Sequence, residues 1–339
     1  MELSSCLQQF FDRYLPRIKG LSENTITAYR DTFSLFLPFA ARFHRTRIKA
    51  LTFEDLSSEL ILDFLDHLEE HRQNSASTRN QRLAALKSLA RMVRLLEPQE
   101  RPWAEKILAI PKKRAPKPLI GYLFPDELVA VFKAVDLRKK EGMRDYTILH
   151  LLCDSGARAS EVATLNLDYF DAHSKRLAIL GKGNRFRQIE LAEKTAQLIA
   201  LYIAQYRLQP KPPYQQRLFI NQRREEFTRH GIHRLCRRYL SLVLPEKRLK
   251  GLNPVHSFRH SCAINMLCNG KDLTEIKNRL GHEKLETTMI YLRLEVSRKR
   301  AIQKEFIQYA QSRMAADPRL DELVDWQNKE QTLIWLDSL

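Results

Sequence analysis

Six residues in the second half of the chain have side chains suited to phosphate chemistry. They are Arg158, Lys182, His256, Arg259, His282 and Tyr291. Guanidinium groups fork onto phosphate oxygens better than ammonium groups do, and a phenol can form a covalent intermediate. Imidazole groups, and a lysine whose pKa is lowered, can move protons. Such a set could exchange phosphodiester bonds, because that reaction needs a nucleophile, positive charge around the phosphate and a proton for the leaving oxygen.

Each of these residues is ordinary when it is taken alone. An arginine beside a helix end, a lysine in a turn or a tyrosine among apolar residues usually has a structural explanation. His256 and Arg259 share one helix face at a spacing of three, which is common by chance. The signal is the order: an arginine, a hairpin lysine, H-x-x-R-H, G-H, and a tyrosine nine residues later.

In this order the motifs resemble those of the tyrosine recombinase (phage integrase) family of site-specific DNA recombinases. The matching segments are GARASE, GKGNRFRQIEL, HSFRHSCAINML and NRLGHEKLETTMIYLR. This resemblance covers residues 119 to about 300, and SENTITAYRDTFSLFL is similar to the family's core-binding domain. It implies a mainly α fold with a small antiparallel β-sheet (α+β). It also implies that a helical core-binding domain and a catalytic domain form a C-shaped clamp around DNA.

The resemblance implies a role for each reactive residue. Tyr291 would cut a strand and hold it as a 3′-phosphotyrosine, and Arg158 and Arg259 would bind the non-bridging phosphate oxygens. Lys182, at a hairpin tip, would deliver a proton to the 5′-oxygen. No metal or other cofactor is implied, and the reaction would proceed by sequential strand exchanges without ATP.

Four further residues complete the expected site. His256 would assist in removing the tyrosine proton, and His282 would hydrogen-bond the phosphate. Glu161 lies one helical turn after Arg158 and is expected to brace the pocket. For His260 we expect a buried histidine whose hydrogen bonds are satisfied.

Helix and strand signals predict the elements that carry these residues. Pro125 starts a helix, and a second helix over about 143–155 ends at Gly156. The alternating runs 176–180 and 185–191 flank a glycine-rich turn and predict a β-hairpin with Lys182 at its tip. A strand-like stretch covers residues 165–170. After about residue 192 the pattern is mostly helical, over 193–208, 228–243, 256–268, 272–280, 285–314 and, as a further candidate, 319–337.

Residues 7–96 are predicted to be helical. Ser22 is a candidate N-cap, Thr52 with Asp55 resembles a capping box, and Ser77 opens a third helix. That helix has Leu83, Leu86, Ala90 and Val93 on its inner face. Its other face carries the basic residues Arg79, Arg82, Lys87, Arg91 and Arg94. This row is either a solvated surface or a face that follows DNA phosphates, and both interpretations stay open.

Composition divides the chain into four parts. Three prolines in PKKRAPKP cannot continue a helix, so residues 111–118 are predicted to be a basic linker. Residues 1–110 would form the helical, SAM-like core-binding domain, and residues 119–315 the catalytic domain. Residues 316–339 would form an acidic C-terminal helix or tail for subunit contacts. The expected DNA-contact residues are Arg79, Arg82, Lys87, Arg91, Lys112, Lys113, Arg114, Arg185 and Arg187.

The charge indicates a polyanionic partner. The 339 residues carry a net charge of +17, and residues 316–339 alone carry −4, which leaves +21 on the rest. We therefore expect double-stranded DNA with inverted core-type sites, bound by a dimer at each site and a homotetramer on two sites. We expect no small domain before the first helix, which would favour recognition of core sites alone.

Other classes of protein are disfavoured. There is no run of about 18 uncharged apolar residues and no secretory signal pattern, so we expect a cytoplasmic, nucleoid-associated protein without membrane contact. The five cysteines have no CxxC spacing, which argues against a disulfide framework or a zinc knuckle. No acidic cluster has metal-ligand spacing, and GKGN is too short for an ATP-binding loop.

Two other functions remain as alternatives. A type IB topoisomerase would share this cleavage chemistry, and a non-catalytic DNA-binding protein could retain the same fold. The tail 317–339 combines acidic charge with Leu320, Val324, Trp326 and Trp335. Such a helix should be buried, either on its own domain or in a neighbouring subunit of a ring-like tetramer.

Overall fold

The computed structural model describes residues 2–115, 121–181 and 183–293. The chain divides into two compact units, residues 1–118 and 119–339. The described parts are mainly helical, with one small three-stranded antiparallel sheet in the second unit. The predicted fold class, mainly α with a small antiparallel β-sheet, is confirmed. None of the described helices has the length and apolar character needed to cross a bilayer.

The first unit is a helical bundle. Its helices are α1 (Leu3–Gln9), α2 (Glu23–Phe43), α3 (Ser58–Arg72), α4 (Ala76–Leu96) and α5 (Arg101–Ala109). α1 continues directly into a π-helical segment, Phe10–Ile18. The core contains the predicted inner face of α4, with Leu83, Leu86, Ala90 and Val93 all buried. Aromatic rings fill the space between the other helices, for example Phe36 against Phe64 with ring centroids 5.0 Å apart.

Two helix starts differ from the prediction. Thr52 and Asp55 do form the reciprocal hydrogen bonds of a capping box, but these bonds close a turn. α3 begins only after Ser57, whose Oγ accepts the backbone N–H three residues later at 3.1 Å. α4 is capped in the same way by Ser75 and not by Ser77. Both serines are good N-caps, so residue type alone does not decide between them.

The second unit contains nine α-helices within its described residues. They are α6 (Pro125–Lys133), α7 (Lys140–Ser155), α8 (Ala159–Ala163), α9 (Glu193–Leu201), α10 (Arg229–Val243), α11 (Glu246–Leu249), α12 (Pro254–Cys268), α13 (Leu273–Leu280) and α14 (Leu285–Thr288). α7 is buried on every side from Gly142 to Ser155, as expected of a central helix. It packs against α12 and ends at Gly156 in the left-handed conformation, as predicted. All five cysteines of the chain are free thiols.

The predicted hairpin is confirmed. Strands β1 (Phe170–Asp171), β2 (Arg176–Leu180) and β3 (Phe186–Glu190) pair in sequence order. Leu177 pairs with Ile189, and Ile179 pairs with Arg187. Leu177, Ile179 and Ile189 are buried, so the inner face of the sheet is apolar except at Arg187.

The strand predicted at 165–170 is shorter than expected. Only its last residue and Asp171 pair with β2, and Leu167–Tyr169 is a 3-10 turn. Leu165 and Leu167 instead exchange backbone hydrogen bonds with residues 216–218, which draws the chain away from the sheet. The predicted helix at 285–314 is also different where it is described, because α14 passes into a 3-10 helix at Met289–Arg293. The candidate over 319–337 lies outside the described residues.

Candidate active site

Arg158 begins the site at the turn between α7 and α8. It is the N-cap of α8, and its backbone N–H donates to Glu161 Oε2 at 2.9 Å. Its guanidinium Nη1 donates to Glu161 Oε1 at 2.7 Å. The Arg158 side chain stays 33% exposed whereas that of Glu161 is 4% exposed. Glu161 therefore holds the backbone and the side chain of Arg158, and its role in bracing a catalytic pocket stays a prediction.

Arg187 shares the same carboxylate. Its Nη2 lies 2.7 Å from Glu161 Oε2, its Nη1 lies 3.1 Å from Oε1, and its Nε donates to the Arg279 carbonyl at 2.9 Å. Burial alone would raise the pKa of Glu161, but the hydrogen bonds and charges of Arg187 and Arg158 outweigh it and lower that pKa to about 2. Arg187, expected to contact DNA, is therefore occupied by internal hydrogen bonds in this structure, and its contact with DNA stays a prediction. The side chain points inward because position 187 shares a strand face with Ile189.

Arg259 lies on α12 and is held by two carbonyl oxygens. Its Nη1 donates to Gly156 O at 2.5 Å and its Nη2 to Leu280 O at 2.7 Å. Both carbonyls lie at helix C-termini, where the helix dipole is negative. Burial, followed by the charge of Arg158, lowers the pKa of Arg259 to about 10, so the guanidinium remains charged at neutral pH.

His256 and His282 lie close enough to these arginines to feel their charge. Burial, followed by the charges of Arg259 and Arg158, lowers the pKa of His282 to about 3, and its Nδ1 lies 2.9 Å from Thr288 Oγ1. His256 remains accessible to solvent, yet partial desolvation and the same two arginines lower its pKa as well. Both imidazoles are neutral at physiological pH, so each can donate one N–H and accept at the other nitrogen.

Tyr291 lies in the 3-10 helix after α14 and is 1% exposed. Its hydroxyl lies 2.9 Å from Nδ1 of His260. Burial raises the pKa of Tyr291 to about 12, against the opposing charges of Arg259 and Arg158. His260, expected to be a satisfied bracing histidine, thus has the hydroxyl of the candidate nucleophile as its partner.

Lys182 lies outside the described residues. Its neighbours define the hairpin tip: Gly181 N–H donates to Arg185 O at 2.9 Å, and Gly183 and Asn184 have positive φ angles of 74° and 58°. The site therefore combines Arg158, Arg259, His256, His282 and Tyr291, with Glu161 and His260 beside them. The hairpin that carries position 182 is tied to this group through Arg187.

Sequence reasoning missed a second anchor of the hairpin. Arg279, on α13, is paired with Asp154 at the end of α7 and donates to the Glu190 carbonyl of β3 at 3.0 Å. Asp154 also accepts the Ala192 N–H at 2.8 Å. The available signal was weak: Arg279 lies in the last turn of a helix just before Gly281, where basic residues are common.

The basic row on α4 is not uniform. Arg79 is 6% exposed and forms ion pairs with Glu69 and Asp66 of α3, so the expectation that it lies on an open face is wrong. Lys87 is half-buried and donates to the Leu108 carbonyl. Arg82 is also half-buried and donates to Thr32, whereas Arg91 and Arg94 are exposed.

The remaining expected DNA contacts are accessible. Lys112, Lys113 and Arg114 are exposed, although Lys113 is paired with Glu69 at 2.8 Å. Arg185 is exposed at the hairpin tip. Within the described parts of the chain, no group of three or more His, Cys, Asp or Glu side chains has the arrangement of a metal site.

Comparison with known proteins identifies the family. The model of the phage integrase family matches residues 122–298, more than half of the chain, and the model of the phage integrase N-terminal SAM-like domain matches residues 7–94. The chain therefore belongs to the phage integrase family. It is a tyrosine recombinase, a site-specific enzyme that cuts and rejoins DNA.

Individual relatives agree with this assignment. The chain is 33% identical over 306 residues to a putative integrase/recombinase, y4rC, of Sinorhizobium fredii, covering 88% of this chain and 90% of that protein. It is 31% identical to the tyrosine recombinase XerD of Staphylococcus epidermidis, covering 85% and 94%. The fold is similar to that of the Tn1549 transposon integrase in complex with transposon right end DNA, with a TM-score of 0.65, 16% identity, and coverage of 90% and 99%.

Proposed function

We propose that this recombinase cuts one DNA strand with Tyr291, holds it as a 3′-phosphotyrosine and rejoins it to a new partner in sequential exchanges. The observation that supports this proposal is the shared electrostatic environment of Tyr291, Arg158 and Arg259. The charges of both arginines act on the phenol and favour its ionised form. A phosphotyrosine conserves the energy of the broken bond, so rejoining needs no ATP.

Arg158 and Arg259 are held in place by different groups, and both would bind the scissile phosphate. Arg259 is fixed between two carbonyl oxygens, and Arg158 is fixed by one edge to Glu161 while a third of its side chain stays exposed. Together they would stabilise the charge that develops on the non-bridging oxygens of the scissile phosphate. Removing one preorganised donor of this kind costs about 10²–10³ in rate.

The remaining roles concern protons and hydrogen bonds. We assign Lys182 to protonation of the leaving 5′-oxygen, from a hairpin that Arg187 and Arg279 tie to the site. His282 and His256 would donate hydrogen bonds to the phosphate from neutral rings. No step uses a metal ion.

A nicked suicide substrate tests the chemistry. The probe is a duplex recombination site, mapped beforehand by footprinting, with a nick just beyond the scissile phosphate so that the cut strand diffuses away. The wild-type protein should accumulate a covalent adduct in EDTA, and Tyr291→Phe should bind the same duplex without forming one. Tyr214→Phe is the matched control and should form the adduct normally. An adduct formed by Tyr291→Phe would contradict the proposal.

We propose that a dimer binds each inverted core-type site and that a homotetramer joins two sites. The acidic segment 316–339 lies outside the described residues, and its role is argued from its sequence. DNA would repel its negative charge. We therefore propose that its apolar residues bind in a pocket on a neighbouring subunit. Deleting residues 317–339 should preserve site binding and weaken synapsis and recombination. Unchanged recombination by the truncated protein would contradict this.

The DNA-contact surface we propose is smaller than the one expected from sequence. Arg79 and Arg187 are committed to internal ion pairs, so they are left out. The proposed contacts are Arg82, Lys87, Arg91, Lys112, Lys113, Arg114 and Arg185. We place the enzyme in the cytoplasm with the nucleoid, because its substrate is duplex DNA.

A further inference from the structure

His260 has a partner that its position in the sequence does not explain. The oxygen of the Tyr291 hydroxyl and Nδ1 of His260 lie 2.9 Å apart, and the ring centroids lie 5.7 Å apart. His256 lies one turn earlier on α12, with its ring centroid 6.1 Å from that of His260. His256 and His260 thus lie along one face of α12, and His260 is within hydrogen-bond distance of the Tyr291 hydroxyl.

We propose that His260 is the catalytic base that receives the phenol proton of Tyr291, in place of His256. The proposal rests on the proposed function, because it takes Tyr291 as the nucleophile. A hydrogen-bond acceptor at 2.9 Å is within the range that direct proton transfer requires. Because Nδ1 accepts the phenol proton, the resting His260 carries its own proton on Nε2.

Both groups start in the protonation states that the transfer needs, but without substrate the low pKa of His260 makes it a weak base. Burial, then His256 and Arg259, lower the pKa of His260 to about 4, so its ring is neutral and has a lone pair at neutral pH. Tyr291 keeps its proton at the same pH. In the proposed resting pair the phenol donates to Nδ1 of a neutral imidazole.

Substrate would strengthen this base. Arg259 opposes protonation of His260 while its charge is uncompensated. A phosphodiester between Arg158 and Arg259 would bring a negative charge that offsets theirs, and an imidazolium at position 260 would then cost less. The base would gain strength only when a phosphate is in place.

Strand cleavage exchanges one phosphorus–oxygen bond for another and moves two protons. The oxygen of Tyr291 bonds to phosphorus while its proton moves to Nδ1 of His260. The bond between phosphorus and the 5′-oxygen breaks with its electron pair on that oxygen, which takes a proton from Lys182. Rejoining runs the same steps in reverse and returns both protons, so no external reactant is consumed.

Matched asparagine variants separate the two histidines. Asparagine at position 260 can still accept a hydrogen bond from the phenol but cannot take up its proton. With the nicked suicide substrate in single turnover, His260→Asn should form the adduct about 10²–10³ times more slowly than wild type. His256→Asn should lose less, because its task is a hydrogen bond to the phosphate. Equal binding of the duplex by both variants shows that each is folded.

A changed leaving group separates proton removal from proton delivery. Sulfur in place of the bridging 5′-oxygen leaves as a thiolate, which needs no proton because thiols are far more acidic than alcohols. This substrate should restore cleavage by Lys182→Ala and leave His260→Asn slow. In His260→Ala, added imidazole should recover part of the rate by filling the space left by the ring.

These outcomes decide the proposal. A wild-type rate for His260→Asn, a loss confined to His256→Asn, or rescue of His260→Asn by the sulfur substrate would each overturn it. The proposed function fails separately, if the wild-type protein forms no adduct or if Tyr291→Phe still forms one.

Discussion

Arg187 and Glu161 form a two-pronged ion pair, with 2.7 Å between Nη2 and Oε2 and 3.1 Å between Nη1 and Oε1. Oε1 also accepts Arg158 Nη1, and Oε2 accepts the Arg158 backbone N–H. One buried carboxylate thus links the strand of the hairpin to the turn that presents Arg158. The position of the hairpin and the orientation of Arg158 therefore depend on the same group.

Replacing Arg187 should reduce the rate of the reaction more than the affinity for DNA. In Arg187→Gln, Glu161 loses its strongest partner, Arg158 becomes less well oriented and the hairpin loses one of its two anchors. We expect single-turnover cleavage to fall about 10²-fold, by analogy with the loss of one positioned charge. Rapid quench of the suicide reaction at saturating DNA measures it.

Arg185 provides the matched control on the same hairpin. It is exposed, so Arg185→Gln should weaken DNA binding in a salt-dependent way and leave the rate at saturating DNA within a few-fold of wild type. If Arg187→Gln behaved like Arg185→Gln, its ion pair would not orient the site.

Acid should destabilise the second unit through Glu161. Its folded-state pKa is about 2 against an ordinary 4.5, so the stability that it contributes is present above pH 4.5 and is lost as the pH falls toward 2. The shift corresponds to about 3 kcal/mol at neutral pH. Denaturant unfolding at pH 7 and pH 3 should show a smaller pH dependence in Glu161→Gln than in wild type. An identical pH dependence would contradict the assignment.

The elements with strong local signals were predictable. Pro125 starts α6, Gly156 ends α7, and the hairpin around residues 181–184 forms where alternation and glycines predicted it. The inner face of α4 was also predictable, because apolar residues recur there at helical spacing. These features depend on residues close together in the sequence.

The partners of charged side chains were not predictable in the same way. Arg79 and Arg187 looked like solvent-facing arginines, since the carboxylates that bind them lie on other elements, at Glu69 and Glu161. Strand alternation places Arg187 on the buried face of β3, but it does not identify the carboxylate that pairs with it. The contact between His260 and Tyr291 joins residues 31 positions apart, and only the packing of α12 against the last described helix reveals it.

Gly156 should resist substitution for two separable reasons. Its φ is +59°, and a Cβ there would lie 2.4 Å from Leu280 Cδ2. Its carbonyl also holds Arg259, so relief of the clash would move that guanidinium. Gly156→Ala should cost about 3 kcal/mol of unfolding free energy and lower the cleavage rate.

Gly270→Ala is the control for backbone strain alone. Its φ is +79°, and a Cβ there meets nothing within 4 Å. It should cost about 1 kcal/mol and leave cleavage unchanged. Chemical denaturation of both variants gives the comparison, and equal losses would remove the packing argument for Gly156.

Two substitutions on α4 should have different effects, because Arg91→Ala should weaken DNA binding whereas Arg79→Ala should lower the unfolding free energy. Arg91 is exposed on α4, so Arg91→Ala should weaken binding to duplex DNA of any sequence and reduce the slope of log K against log salt by about 1. Arg79 is buried and neutralises Glu69, so Arg79→Ala should keep that slope and cost about 1–2 kcal/mol of unfolding free energy. Fluorescence anisotropy at salt concentrations from about 50 to about 300 mM measures the slope for DNA binding. Urea unfolding measures the change in unfolding free energy. A reduced salt slope in Arg79→Ala would mean that this arginine leaves its ion pair to bind phosphate.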